Sequence, residues 1–272
     1  METGISQADE RKQSSDARFS VRLARTEAEL RAAQRLRYDV FVTELGGGGA
    51  QVDHAARLEC DRFDAYGDHM ILCDNFDAQV VGVYRLLRMD QAQSAGQFYC
   101  ADEYDLAPLT GSGRRLLELG RSCLHPKVRG GAAMMYLWQG LSRYIAQHRI
   151  DVLFGAASFH GTDIGALAQP LSLLHHRHLA PEGLRVQAIG DAHQPMDLLP
   201  EASIDRRAAM VAVPPLIKAY LRLGGFVGQG AFVDHAFNTT DVCLVLDTAR
   251  MNPRQVRLYQ GGPAMEGKGG AA

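Results

Sequence analysis

The sequence predicts a single α/β domain built on one mixed sheet. Strand-like runs alternate with helical ones in the order strand, helix, hairpin, strand, helix, strand, followed by mixed elements. The 272 residues are 46% hydrophobic, enough for one substantial core. No internal repeat and no interdomain linker divides them. The domain is expected over 19–250, between a polar tail at 1–18 and a flexible tail at 251–272 that follows a C-terminal extension.

The elements read as follows. "FSVRLA" (19–24) alternates like a strand. Thr26 and Glu29 make a capping-box signature, and helix formers run on to about Glu44. Gly46 to Gly49 end that helix; no strand feeds this run, so it is poorly placed to cradle a phosphate. "DHMILCDNFDAQVVGVYRLLR" reads as a hairpin turning over Asp74 to Ala78, with its second strand from Val80 to Leu87. "RLLELGRSCL" is the next strand, and a helix follows from about Gly130 to His148. "DVLFGAASF" is a strand, 167–174 a helix, and "PPLIKAYLRL" a short helix with proline in its first turn. "GGFVGQGAFVDHAF" and "DVCLVLD" close the set as strands.

Composition narrows the class. Lys and Arg number 29 against 31 Asp and Glu, a formal charge of −2, which offers no bulk attraction for nucleic acid. Five scattered cysteines without a CxxC pair suit a reducing compartment. The polar N-terminus lacks an apolar signal core, and no run approaches the roughly 18 apolar residues of a membrane span. A cytoplasmic protein is expected, with peripheral contact at the inner membrane face compatible.

Charges stand where apolar residues are due. On the first helix, Leu30, Ala33, Val40 and Phe41 form a stripe with Arg37 inside it. Arg85 shares a strand face with Val81, Val83 and Leu87. A buried cation requires an anionic partner or a ligand, and Glu59, Asp61 and Asp64 in "LECDRFDAYGDH" are the available partners. Glu118 and Arg121 lie three apart on one strand and so on opposite faces, unless a bulge near Gly120 brings them together. Such a bulge would leave backbone amides free for an oxyanion. The turn Lys127-Val128-Arg129-Gly130-Gly131-Ala132 then opens a helix with bare backbone amides, where phosphate binds well. Cys123 reads as a small core residue rather than a nucleophile. His175, His176 and His178 read as a helix end rather than a metal site. Asp234-His235 lacks a serine to complete a triad.

At these residues the chain resembles the GCN5-related N-acyltransferase superfamily, in which a bulged strand runs into a Q/R-x-x-G-x-G/A turn. Lys127, Gly130 and Ala132 match that turn, with Lys replacing Gln or Arg. Arg37 with Phe41, Glu59-x-Asp61-x-x-Asp64, Arg85, Phe98 and Glu118-x-x-Arg121 resemble the acyl-homoserine-lactone synthase branch. The segments "LLELGRSCL", "YLWQG", "ASFHGTD", "PPLIKAYLRLGG" and "VDHAFNTTDV" are similar to the ornithine N-alpha-acyltransferases of ornithine-lipid synthesis.

The resemblance implies a GNAT-like fold and transfer of a 3-hydroxyacyl group from acyl carrier protein to the α-amine of L-ornithine. It implies no metal and no bound cofactor, the donor being the carrier's phosphopantetheine arm, held by 127–132. Glu118 is the preferred base and Glu59 the second, with either able to hold an ammonium group instead. Asp61 and Asp64 suit the substrate's side-chain cation, Arg37 or Arg85 its carboxylate, and Phe41 and Phe98 the pocket wall. Arg121 either orients Glu118 or faces the carrier's phosphate. The rival readings are a homoserine-lactone synthase, acyl transfer to another amino acid, and a non-enzymatic domain that binds acyl carrier or lipid.

Overall fold

The computed structural model of the chain describes residues 18–49, 52–130, 132–252 and 254. The expected tails at 1–18 and 251–272 fall almost wholly outside the described residues.

β1 (Phe19–Leu23) leads into α1 (Glu27–Arg37). The Thr26 hydroxyl accepts from the Glu29 amide at 3.2 Å, and the Glu29 carboxylate accepts from the Thr26 amide at 3.3 Å. The helix does reach Glu44, but Tyr38–Glu44 winds as a π-helix. Such wide turns are rare and often sit at functional sites. β2 (Val52–Asp53) pairs with β3 (Leu58–Glu59), and a 3₁₀ turn at Arg62–Ala65 follows. These short elements exist to carry Glu59, Asp61 and Asp64. β4 (Asp68–Asp74) and β5 (Gln79–Arg88) form the expected hairpin.

The stretch between the hairpin and the next long strand folds as α2 (Met89–Ala95), a 3₁₀ turn at Tyr99–Asp102, β6 (Tyr104–Asp105) and α3 (Ala107–Thr110). β7 (Leu116–Leu124), α4 (Ala133–His148) and β8 (Val152–His160) form the strand–helix–strand unit. α5 (Ile164–His178) is longer than expected because Asp163 caps it, its side chain accepting from the Ala166 amide at 3.3 Å. Then come β9 (Gln187–Ala188), β10 (His193–Gln194), α6 (Arg206–Ala212) and α7 (Pro215–Leu223). The run expected as one strand before the last is broken by glycines into β11 (Phe226–Val227) and β12 (Ala231–Asp234); β13 (Thr239–Asp247) ends the sheet.

The strand order is β1-β4-β5-β7-β8-β13-β12-β10, with β11 also against β13. Neighbours are antiparallel except β7 and β8. Along β8, Leu153, Ala157 and Phe159 belong to one core, with Leu137, Trp138 and Leu141 of α4 and Ile217 and Tyr220 of α7. Phe154 belongs to the other, with Phe98, Cys100 and Tyr104. α1 covers Ile71, Val83 and Cys123 on that second face. The sheet is therefore buried on both sides, as its long apolar strands require.

Candidate active site

Two irregularities in the sheet meet at one place. The β7–β8 ladder contains three pairs, Leu116–Val152, Leu117–Leu153 and Glu118–Phe154, although both strands continue for six residues. At the point of parting the strands touch: a Cβ on Gly155 would lie 2.1 Å from the Leu119 carbonyl oxygen. On its other edge β7 carries a bulge. Val83 faces Cys123 and Arg85 faces Gly120, so Tyr84 opposes both Arg121 and Ser122. Arg121 has φ +52°, the left-handed conformation that takes up the extra residue. The bulge reverses the alternation and puts Arg121 on the face of Glu118 and Arg85.

A cavity of about 230 Å³ opens at this parting, lined from both sheet faces. Leu119, Ala157, Leu216, Tyr220 and Leu244 make an apolar wall on the α4–α7 side. Glu118, Arg121, Ser158, Asp234 and Asp241 make a polar wall on the α1 side. Phe41, from the π-helical turn, closes it with Phe237.

The buried charges form a closed ring. Arg37 pairs with Glu59 and, at 2.8 Å, with Asp64; Arg85 pairs with Asp61 and, at 2.9 Å, with Asp64. Arg121 closes the circuit, 3.0 Å from both Glu59 and Asp61. Three cations alternate with three anions at zero net charge, which is how such groups survive burial. Despite burial, the neighbouring arginines hold Asp61 and Asp64 below the usual carboxylate range. Both Glu59 oxygens are engaged, by Arg37 and Arg121. Arg37 and Arg85 lie under the floor, 0% and 2% exposed, and only Arg121 of the ring borders the cavity. The roles weighed above for Glu59, Asp61, Asp64, Arg37 and Arg85 therefore compete with ion pairs already made. In the structure these five residues and Arg121 form the ion-pair ring beneath the cavity.

Glu118 stands apart from the ring. Its carboxylate accepts from the amides of Tyr99 at 2.8 Å and Cys100 at 2.6 Å, the first turn of a 3₁₀ helix. Burial pushes its pKa up, while those two amides pull it down. A carboxylate fixed by backbone donors and raised toward neutrality is suited to accept a proton. Phe98, expected on the pocket wall, is instead in the core, its ring 5.0 Å edge-on from Phe154. It supports the turn that holds Glu118.

The turn before α4 is partly described, Gly131 lying outside the described residues. Gly130 has φ +74° and Ala132 precedes the first helical residue. Arg129 is committed to Glu44, with Nη2 2.7 Å from Oε2, and its Nε donates to the Leu124 carbonyl. Lys127, Val128, Arg129 and Ala132 line a second depression with Arg18 and Tyr136.

Sequence reasoning missed Glu103 and Asp241, 5% and 6% exposed. Glu103 Oε2 and Asp241 Oδ1 have no hydrogen-bond partner. Burial and mutual repulsion push Glu103 well up, and burial raises Asp241 to about 6. Asp241 was detectable: it shares a strand face with Cys243 and Val245, just as Arg85 does with Val83.

Over 36–139 the chain matches the family described as an acetyltransferase (GNAT) domain. It is 57% identical over 256 residues to an L-ornithine N(alpha)-acyltransferase of Rhodobacter capsulatus, covering 92% of this chain and 97% of that one. A protein of the same name from Brucella abortus is 44% identical, over 89% and 88% of the two chains. Among solved structures, the CoA-dependent acyl-homoserine lactone synthase MesI is similar with a TM-score of 0.50 at 15% identity, over 92% of this chain and all of that one, a likeness of fold. The parted sheet, the bulge and these relatives agree, and the chain belongs to the L-ornithine N(alpha)-acyltransferase family of GNAT-fold acyltransferases.

Proposed function

We propose that the protein transfers a 3-hydroxyacyl group from acyl carrier protein to the α-amine of L-ornithine, releasing the N-acylated amino acid and free carrier. The observation that carries this is the parted sheet, with an apolar wall on one face and a charged wall on the other. That division suits an amide formed between an acyl thioester and a charged amino acid. The acyl chain and pantetheine enter over Leu119, Ala157 and Leu244, beside the helix start at Val128 to Ala132. The amino acid enters over Glu118 and Arg121. Ornithine and a carrier-bound donor rest on the relatives' names and on the sequence resemblance.

Glu118 takes a proton from the α-ammonium, and the neutral nitrogen attacks the thioester carbonyl. Backbone amides released from the ladder by the bulge at Arg121 and Ser122 receive the oxyanion. One such donor is worth roughly 10²–10³ in rate. The tetrahedral adduct collapses with loss of the pantetheine sulfur, which takes the second proton of the nitrogen. Arg121, the cation of the cavity lining, receives the substrate carboxylate. Tyr99, stacked 4.6 Å from its guanidinium, keeps that cation flat against the wall.

The test is thiol release from 3-hydroxyacyl carrier protein across ornithine, lysine, glutamine and S-adenosylmethionine, with Glu118→Gln beside the wild type. Release with ornithine that falls by roughly 10²–10⁴ in the variant supports the reading. Release with S-adenosylmethionine instead would make it a lactone synthase. Silence with every amine would leave a binding domain.

A further inference from the structure

The cavity holds more negative charge than the reaction uses. Its lining includes Glu118, Asp234 and Asp241 against one cation, Arg121, and that cation is already paired with Glu59 and Asp61. Glu118 serves the α-amine. Asp234 turns one oxygen inward to the amides of Ala236 and Phe237, at 2.8 and 3.0 Å. Asp241 is hydrogen-bonded by the side chains of Ser158 and Thr239, yet one of its oxygens is left over. It sits on β13 opposite Ser158 of β8, on the same sheet face as Glu118. Its Oδ1 lacks a donor, and so does Glu103 Oε2. A buried carboxylate oxygen without a donor is costly, and two close together are worse. Among the described residues neither makes an ion pair, whereas every acid of the neighbouring ring makes two.

We propose that Asp241, with Glu103 behind it, is the seat of the acceptor's side-chain ammonium, and that this pair makes the enzyme selective for a diamino acid. The inference rests on the functional reading above and gives its substrate a second point of attachment. An ammonium has three donors and no acceptor, which is what two orphaned carboxylate oxygens require. A free acid with an apolar side chain would leave both unpaired, so the same pair that attracts ornithine rejects its uncharged analogue. Three contacts then orient the substrate: carboxylate at Arg121, α-nitrogen at Glu118 and side-chain nitrogen at Asp241.

The experiment compares kcat/KM for L-ornithine with that for L-norvaline, which has the same carbon chain without the terminal amine. Purified wild type and Asp241→Asn are assayed with 3-hydroxyacyl carrier protein. The wild type is expected to prefer ornithine, and Asp241→Asn to lower ornithine turnover roughly 10–100-fold while norvaline turnover is kept or raised, the charge that rejects it being gone. Retained norvaline turnover shows that the variant is folded and its chemistry intact. Glu103→Gln, read the same way, is expected to lower the ratio by a smaller factor, and it decides the matter if Asp241→Asn does not fold. A preference for ornithine that survives both substitutions, or equal losses with both amino acids, overturns the seat alone. A wild type that does not distinguish the two amino acids overturns the ornithine reading and the seat together.

Discussion

Asp241→Asn is expected to stabilise the empty protein, and to do so only where Asp241 would be ionised. Burial raises this carboxyl from the usual 3.8 to about 6. The folded protein thus keeps a proton that the unfolded chain gives up at lower pH. The stability contributed by that proton is complete below about pH 4 and is lost as pH rises to about 6. Two units correspond to about 3 kcal/mol above pH 6.5, and the same relation leaves about 1 kcal/mol at pH 4.5. Asparagine does not ionise and escapes the loss. Its removal of a charge also relieves Glu103, whose repulsion with Asp241 works in the same direction. Carboxyls outside this pair titrate alike in both proteins and cancel in the difference. At roughly 2–4 °C per kcal/mol for a chain of this size, the variant should melt about 6–12 °C above wild type at pH 7.5 and only about 2–4 °C above it at pH 4.5. The assay is thermal unfolding by circular dichroism at the two pH values without substrates. A gap that does not change with pH, or a wild type that melts higher at pH 7.5, would refute the claim that the Asp241 carboxylate is held at a cost.

Two further outcomes separate scaffold from chemistry. Arg37→Met leaves Glu59 and Asp64 buried with one partner fewer each, so urea unfolding should show a loss of about 3–5 kcal/mol; a loss under 1 kcal/mol would mean that the ring does not act as a unit. Cys123→Ala should keep turnover within a few-fold, because burial pushes that thiol up to about 12 and almost no thiolate exists at neutral pH. Abolished turnover in a folded Cys123→Ala protein would bring back an acyl-enzyme on that sulfur.

Much of the sheet was legible from pattern. The capping box at Thr26, the hairpin over 74–78 and the strand–turn–helix from Leu116 each rest on local chemistry and appear where the pattern puts them. The bulge could be inferred because Glu118 and Arg121 could not otherwise share a face. The π-helical turn could not, since a wider turn changes the hydrogen-bond ladder without changing the apolar stripe. The break of the run before the last strand into β11 and β12 follows Gly228 and Gly230; at Gly230, with φ +76°, backbone geometry overrides the apolar pattern.

The site was legible in its members and not in its pairing. A charge on an apolar face announces itself in one dimension, as Arg37, Arg85 and Asp241 do. Whether it meets an opposite charge is decided by residues 21 to 62 positions away, and this divides structure from function here. Six such charges close a circle on each other, and of the six only Arg121 borders the cavity. Glu118 is satisfied by backbone amides, keeps its charge localised and faces the cavity. Glu103 Oε2 and Asp241 Oδ1 are met by no donor among the described residues, although Ser158 and Thr239 hydrogen-bond to the Asp241 carboxylate. Folding tolerates an unmet carboxylate only where something else is gained from it. In a cavity that must accept a cationic amine, that gain is selectivity, and so the least stable charges of the site are the ones that choose its substrate.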